Sequence, residues 1–125
     1  TGRRRSRSRT RDAERNGRSM KILFDQGTPV PLRRSLTGPE VHTAYECGWQ
    51  ILENGELLTA AENDGYDLLI STDQNLKYQQ NLGQGKIGVL ILMSTSWPNI
   101  RRHLDAISRG IESARTGSYL EIPIP

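Results

Sequence analysis

Continuous apolar runs constrain the fold of this chain more than any other feature. The clearest are residues 21–25 (KILFD), 67–71 (DLLIS) and 86–92 (KIGVLIL), each of them short and apolar at successive positions. Such runs are typical of strands in a parallel sheet that is covered on both faces. Residues 40–44 are a weaker strand candidate, and we expect residues 119–122 to add an edge strand at the C-terminal end.

Helical patterns separate these runs. A short helix is predicted near residues 30–36, and a second from Asn54, taken as its N-cap, to a stop at Gly65. The last helix has the clearest pattern, because apolar residues recur at helical spacing from Ile100 to Ala114. Strands that alternate with helices predict an α/β fold, in which helices cover both faces of a parallel sheet.

The first 19 residues differ from the rest in composition. Residues 1–19 (the leader) hold eight arginines and two acids, whereas residues 20–125 hold nine basic and twelve acidic residues, a net charge of −3. The high isoelectric point therefore comes from the leader and does not predict that the remainder binds nucleic acid. With one apolar residue, the leader is expected to be disordered, so that the folded domain spans residues 20–125.

Two interpretations of the leader are open. An arginine-rich arm can bind phosphates without sequence preference. We favour the other interpretation, in which Met20 is the natural first residue and the leader is upstream sequence, and we assign the leader no functional residue.

Several function classes lack their sequence signals. The single cysteine, Cys47, excludes an internal disulfide and a multi-cysteine metal cage, and neither His42 nor His103 has a second imidazole at zinc-site spacing. The motifs of serine hydrolases, of Walker-type nucleotide sites and of dinucleotide sites are all missing. No apolar run approaches the roughly 20 residues of a membrane span. The lack of such a run and the single cysteine together favour a cytoplasmic protein.

Two aspartates follow strand candidates. Asp25 ends the first run, and Asp73 lies two residues beyond the run 67–71. The carboxyl ends of parallel strands share one edge of the sheet, where ligands bind near the switch in strand order. A carboxylate there costs desolvation energy unless a cation compensates it, and Mg²⁺ suits oxygen ligands of this kind. Either aspartate alone is explained as well by shaping a turn, but the two together favour a metal site.

Other polar residues are expected at the same edge. Glu46 follows the second strand candidate, and Glu56 lies in the first helical turn, where the helix dipole explains it as well as a metal does. Gln74 and Lys77 follow Asp73 and are candidates for substrate binding.

Nucleic-acid contacts have weaker signals. The pairs Arg33-Arg34 and Arg101-Arg102 could contact a phosphate backbone, but we favour solvated helix faces. Trp49 and Tyr78 could stack on bases, although packing in or around the core is the commoner arrangement.

Three segments of the chain carry a family resemblance. They are MKILFDQGTP (20–29), HTAYECGW (42–49) and NGELLTAAENDGYDLLISTDQNL (54–76). In order and spacing they resemble the small PIN-like proteins of bacteria, a branch of the PIN-domain nuclease superfamily, over about residues 20–92. The resemblance implies a three-layer α/β/α domain with a central, mainly parallel sheet. It also implies acids that hold Mg²⁺ or Mn²⁺, an RNA substrate and, for a toxin of a toxin–antitoxin pair, a cognate antitoxin as partner. A homodimer is a further expectation.

Carried over by position, three acids match the family pattern and are the catalytic and metal-ligand candidates: Asp25, Glu46 and Asp73. The pattern expects aspartates at two further positions, where this chain has Asn54 and Asn75. With Glu56, which could substitute for a missing acid, these residues form the outer part of the expected metal site.

The two amides leave two functions open. The first is a metal-dependent ribonuclease, because amides still provide oxygen ligands and can hydrogen-bond a phosphate. The second is a catalytically weak or inactive PIN-like module that binds a protein partner or nucleic acid, because fewer carboxylates provide less negative charge to hold a metal.

Overall fold

Five parallel strands form one sheet in the part of the chain that the structure describes. The structure is a computed structural model that describes residues 20–78 and 86–125. The strands are β1 (Lys21–Phe24), β2 (Glu40–Thr43), β3 (Leu68–Ser71), β4 (Gly88–Leu92) and β5 (Tyr119–Ile122). Their order is β2-β1-β3-β4-β5, and every neighbouring pair is parallel. The predicted α/β fold with a parallel central sheet is confirmed. The leader lies outside the described residues.

The burial of each strand agrees with its sequence pattern. Every residue of β3 and β4 is buried, as the continuous apolar runs predict for strands covered on both faces. Buried and more exposed residues alternate along the edge strand β2, whereas only the last residue of the edge strand β5, Ile122, is buried. Pro39 precedes β2 and Pro123 follows β5, so neither edge can extend its hydrogen-bonded ladder through these positions.

Helical segments cover both faces of the sheet. The α-helices are α1 (Asn54–Asn63), α2 (Trp97–Ile100) and α3 (Leu104–Ser113), and the 3₁₀ segments are Val30–Ser35, Leu76–Tyr78 and Arg101–His103. No helix among residues 20–78 and 86–125 is long and apolar enough to cross a membrane.

Two core clusters lie on the two faces and complete three layers. On the first face, Leu32 of the first 3₁₀ segment and Ile107 of α3 pack with Phe24. On the second face, Leu57 of α1 packs with Leu69. Because side chains alternate along a strand, neighbouring strand residues belong to opposite clusters.

The N-cap of α1 differs from the prediction. Asn54 is the first helical residue, and Glu53 is the cap. Its side chain accepts from the backbone N–H of Glu56, whose Oε1 accepts from the Glu53 N–H at 3.1 Å. This reciprocal pair satisfies two free backbone donors, whereas an asparagine cap satisfies one.

The last helix is also less regular than predicted. Ser96 caps α2 and accepts from the Asn99 N–H, but a 3₁₀ turn at Arg101–His103 separates α2 from α3. A 3₁₀ turn has 3.0 residues and an α turn 3.6. Over a single turn, apolar spacings of three and four fit both, so periodicity does not detect the interruption.

The strand order reverses between β1 and β3. From β1 the chain passes to β2 on one side of the sheet and then crosses to β3 on the other. In open parallel sheets a crevice forms at such a point, outside the carboxyl ends of the strands. Asp25 follows β1 and Ser71 ends β3, so these two residues border that crevice.

We predict that Gly88→Ala destabilises the fold. A Cβ on Gly88 would lie 2.8 Å from the carbonyl oxygen of Arg115 and 3.1 Å from Ser118 Oγ, and a backbone oxygen cannot rotate away. Overpacking of this kind costs about 1–3 kcal/mol. Urea unfolding measures the loss. The control is Lys86→Ala, at an exposed position two residues earlier, for which we expect a change within about 0.5 kcal/mol. Equal stability of both variants would contradict the close approach.

Candidate active site

Hydrogen bonds from two loops hold the Asp25 carboxylate. Oδ1 accepts from the Gly27 N–H at 3.1 Å and lies 2.7 Å from the Thr28 hydroxyl, while Oδ2 accepts from the Ser71 hydroxyl. Thr28 and Ser71 are only 3% and 0% exposed. The Asp25 N–H also donates to the Ile70 carbonyl at 3.1 Å, which continues the pairing of β1 with β3. The position of this carboxylate is therefore fixed by buried groups.

Ser71 links the two aspartates predicted from the sequence. Its hydroxyl donates to Asp25 and accepts from the Asp73 N–H at 3.0 Å. Asp73 Oδ1 accepts from the Asn75 N–H at 2.9 Å, an Asx-type turn that shapes the loop after β3. The structure thus brings Asp25 and Asp73 to one edge of the sheet through a shared hydroxyl.

The loops that follow β1 and β3 approach each other closely. A Cβ on Gly27 would lie 2.6 Å from Thr72 Oγ1, which is closer than real side chains pack. A side chain at position 27 would therefore force the Thr72 side chain to move, and the crevice is narrow where Asp25 meets the Ser71–Asp73 segment.

Burial dominates the electrostatics of Asp25. Desolvation raises the pKa of its carboxyl above the ordinary value of 3.8, and hydrogen bonds from Ser71, Thr28 and Gly27 offset part of that shift. The anionic form is thus less well solvated than in water. A cation placed beside this carboxylate would favour the anion and lower the pKa.

Glu46 is engaged elsewhere. Its Oε1 accepts from the Thr43 N–H at 3.0 Å, and Arg33 Nη1 contacts its two oxygens at 2.8 and 3.1 Å. The Arg33 hydrogen bond is the largest of the interactions that lower the pKa of Glu46. Across the described part of the chain, Glu46 does not form a group with Asp25 and Asp73 that could hold a metal ion. The structure therefore does not group Glu46 with Asp25 and Asp73.

The remaining outer candidates lie at the helix and turn beside the crevice. A helix that follows a parallel strand begins at the carboxyl edge of the sheet, so Asn54 and Glu56 are on this edge. The Glu56 side chain belongs to the capping pair with Glu53, which agrees with the helix-terminus interpretation. Asn75 is exposed in the turn after Asp73.

The candidates for substrate contact are exposed to different degrees. Gln74 is exposed, and Lys77 Nζ lies 3.9 Å from Glu121 Oε2 and 5.5 Å from the centroid of the Tyr78 ring. Tyr78 itself is 74% exposed. Trp49 instead packs against the second core cluster, which agrees with the packing interpretation.

A hydrogen-bonded network accounts for His42 and Cys47. The hydroxyl of the buried Tyr66 lies 2.8 Å from His42 Nδ1 and 3.2 Å from Cys47 Sγ. Lys21 Nζ lies 4.4 Å from the Tyr66 ring centroid. Burial, followed by the Cys47 hydrogen bond, raises the pKa of Tyr66, which therefore stays a neutral donor. These residues join β2 to the segment after α1.

The oxygen groups fit a single hard cation better than a metal cluster. Within residues 20–78 and 86–125, no three His, Cys, Asp or Glu side chains are close enough to hold a metal ion together. Mg²⁺ keeps several waters and often uses one or two protein carboxylates. Asp25 and Asp73 could provide that number, whereas two-metal hydrolysis needs a larger set of ligands.

Sequence reasoning missed Thr28 and the role of Ser71. A threonine three residues after a strand-ending aspartate can return its hydroxyl to the carboxylate, and a lone serine at the end of an apolar strand needs a partner. Both signals are present in the sequence, but each is common in turns and does not identify a site by itself.

The comparisons with known proteins leave the family open. No family model, no curated protein and no solved structure matches the chain. The PIN-like resemblance accordingly rests on the three sequence segments, and the chemistry of the site must be argued from its geometry.

We predict that Asp25→Asn gains stability relative to the wild type as the pH rises. Because the pKa of Asp25 is raised in the folded state, its contribution to stability is present below 3.8 and is lost as the pH rises through the folded-state pKa. Urea unfolding in EDTA between pH 4 and pH 8 measures the difference. Asp105→Asn, at an exposed position of α3, controls for loss of a charge. A difference between Asp25→Asn and wild type that does not change with pH contradicts the prediction.

Ser71→Ala should be clearly less stable than the wild type. The substitution removes the donor to Asp25 Oδ2 and the acceptor of the Asp73 N–H, both supplied by the buried Ser71 hydroxyl. An unsatisfied buried polar group costs about 1–3 kcal/mol. Thermal and urea unfolding measure the loss, with Ser35→Ala at an exposed position as the control. If the two variants are equally stable, the hydroxyl of Ser71 does not organise the site.

Proposed function

We propose that this protein is a metal-dependent PIN-like ribonuclease that acts on cytoplasmic RNA as the toxin of a toxin–antitoxin pair. One observation carries the proposal: at the switch point of a parallel sheet, the buried hydroxyl of Ser71 bonds the Asp25 carboxylate and the backbone N–H of Asp73. Two aspartates at this position provide the ligands and the charge that phosphodiester hydrolysis with Mg²⁺ or Mn²⁺ requires.

The protein groups have distinct parts in this proposal. Asp25 and Asp73 would hold the cation, which when bound supplies an activated water and neutralises charge on the scissile phosphate. Ser71 and Thr28 are positioning residues, because they fix the Asp25 carboxylate in one orientation. The partial desolvation of Asp25 favours cation binding, since the bound charge replaces solvation that burial removes.

A specific observation favours a second candidate function. Glu46 is bonded to Arg33, and amides stand at positions 54 and 75, so the edge carries fewer free carboxylates than the family pattern expects. A site of this composition also fits a PIN-like module that binds nucleic acid or a protein without cleaving RNA.

Cleavage assays test the ribonuclease proposal. We expect the full chain to cleave RNA with Mn²⁺ or Mg²⁺, and we expect Asp25→Asn and Asp73→Asn each to slow cleavage at least about 100-fold, the usual cost of an electrostatic stabiliser in an active site. Asp64→Asn removes an equal charge at the exposed C-terminal end of α1 and should cleave as the wild type does. Cleavage that survives in both site variants rejects the site.

Calorimetry separates the two candidate functions. Titration of Mn²⁺ into the wild type should show binding that Asp25→Asn weakens and Asp105→Asn leaves unchanged. If the wild type binds no Mn²⁺ or Mg²⁺ at millimolar concentration, the non-catalytic module is the better description.

A further inference from the structure

The helical layers on the two faces of the sheet differ in charge. The layer on the first face (the basic layer) comprises residues 30–36 and 97–113, with five arginines and two acids, a net charge of +3. On the second face, residues 50–66 (the acidic layer) hold four acids and no lysine or arginine. The overall charge of the domain conceals this division.

The fold brings the two arginine pairs to the same side. Leu32 and Ile100, which adjoin the two pairs in the chain, pack in one core cluster on the first face. The adjacent arginines are therefore on the outside of that layer. The exposed ones, listed in full, are Arg34, Arg101, Arg102 and Arg109.

These four exposed arginines are more accessible to a ligand than Arg33 is. Arg33 is bonded to Glu46 and to the Val41 carbonyl, so its charge is compensated. Arg102 Nη2 donates to a neutral group, the Asn99 side-chain oxygen, at 3.3 Å. The guanidinium group matches phosphate geometry with two parallel donors, which makes an exposed arginine cluster suited to a phosphate backbone.

We infer that the basic layer is the surface that binds the RNA backbone, an inference that rests on the proposed function for the identity of the substrate. The first 3₁₀ segment begins at Val30, shortly after Asp25, and α2 begins after β4 at the same edge of the sheet. The basic layer thus starts at the candidate active site and continues down one side of the domain. The acidic layer on the opposite side repels a polyanion, so the RNA approaches from the first face.

A second copy of the chain is the alternative partner for the basic layer, since the acidic layer of that copy carries the opposite charge. The acids of that layer, however, have partners within their own chain. Glu62 accepts from the Lys86 backbone N–H, and Asp64 lies 3.9 Å from Lys21 Nζ. Glu53 and Glu56 cap α1. The free arginines therefore fit phosphates better than they fit these carboxylates.

The salt dependence of RNA binding tests the inference. The full chain is titrated in EDTA against a labelled, unstructured RNA of about 20 nucleotides, longer than the roughly 4–16 nucleotides that one small domain covers. Arg34→Gln combined with Arg101→Gln removes two exposed charges from the basic layer. Each phosphate contact to a single strand contributes about 0.7 to the slope of log K against log salt, so the slope should fall by about 1.4.

A matched control removes the same charge elsewhere. Lys86→Gln combined with Lys21→Gln alters two basic residues outside the basic layer, at the beginnings of β4 and β1, and should leave the slope unchanged. The leader is identical in every variant, so it does not affect the comparison. Equal losses in the two double variants, or no loss in either, overturn the inference.

Two further measurements separate this inference from the proposed function. EDTA prevents metal-dependent cleavage, so reduced binding in the basic-layer variant supports the inference even where the wild type cleaves no RNA with Mn²⁺. Light scattering gives the mass of each variant. If the basic-layer variant dissociates a dimer and still binds RNA as the wild type does, the layer is an interface between copies and the inference is wrong.

Discussion

The hydrogen bond from the buried Ser71 hydroxyl to Asp25 is the interaction on which the candidate site depends. A carboxylate at the end of a covered strand loses solvation, and its pKa is raised for that reason. Hydrogen bonds from Ser71, Thr28 and the Gly27 N–H replace part of the solvation that burial removes from the Asp25 carboxylate. The same hydrogen bonds hold the carboxylate in one orientation. Because Ser71 also binds the Asp73 backbone, the arrangement of the two loops follows from one hydroxyl.

The features predicted from the sequence are those with a local cause. Continuous apolar runs identified β3 and β4, since strands covered on both faces need apolar residues at successive positions. The placement of Asp25 and Asp73 at one edge followed from the general geometry of parallel sheets. Gly65 adopts the positive φ of 83° expected of a helix stop.

The features that sequence reasoning missed depend on long-range contacts or on competition between similar partners. Arg33 reaches Glu46 only because the first 3₁₀ segment packs beside the end of β2, and no spacing in the sequence indicates that contact. Glu53 displaces Asn54 as the cap because a reciprocal pair with Glu56 satisfies more donors than a single side chain does. Glu46 and Glu56, two acids that the sequence analysis considers as metal ligands, thus each have a structural partner.

Under the proposed function, the scarcity of acids at the edge and the charge of the basic layer act together on RNA. Each carboxylate at the site repels a phosphate, so an amide at position 75, where the family pattern expects an aspartate, reduces the cost of bringing an RNA backbone near Asp25 and Asp73. The exposed arginines add attraction that needs no metal, because it depends on counterion release. With both effects, the proposed RNA binding would depend less on the cation than it would in a site with more carboxylates. The proposed binding and the proposed cleavage would therefore respond differently to metal, since the arginines and the aspartates lie on different elements of the fold.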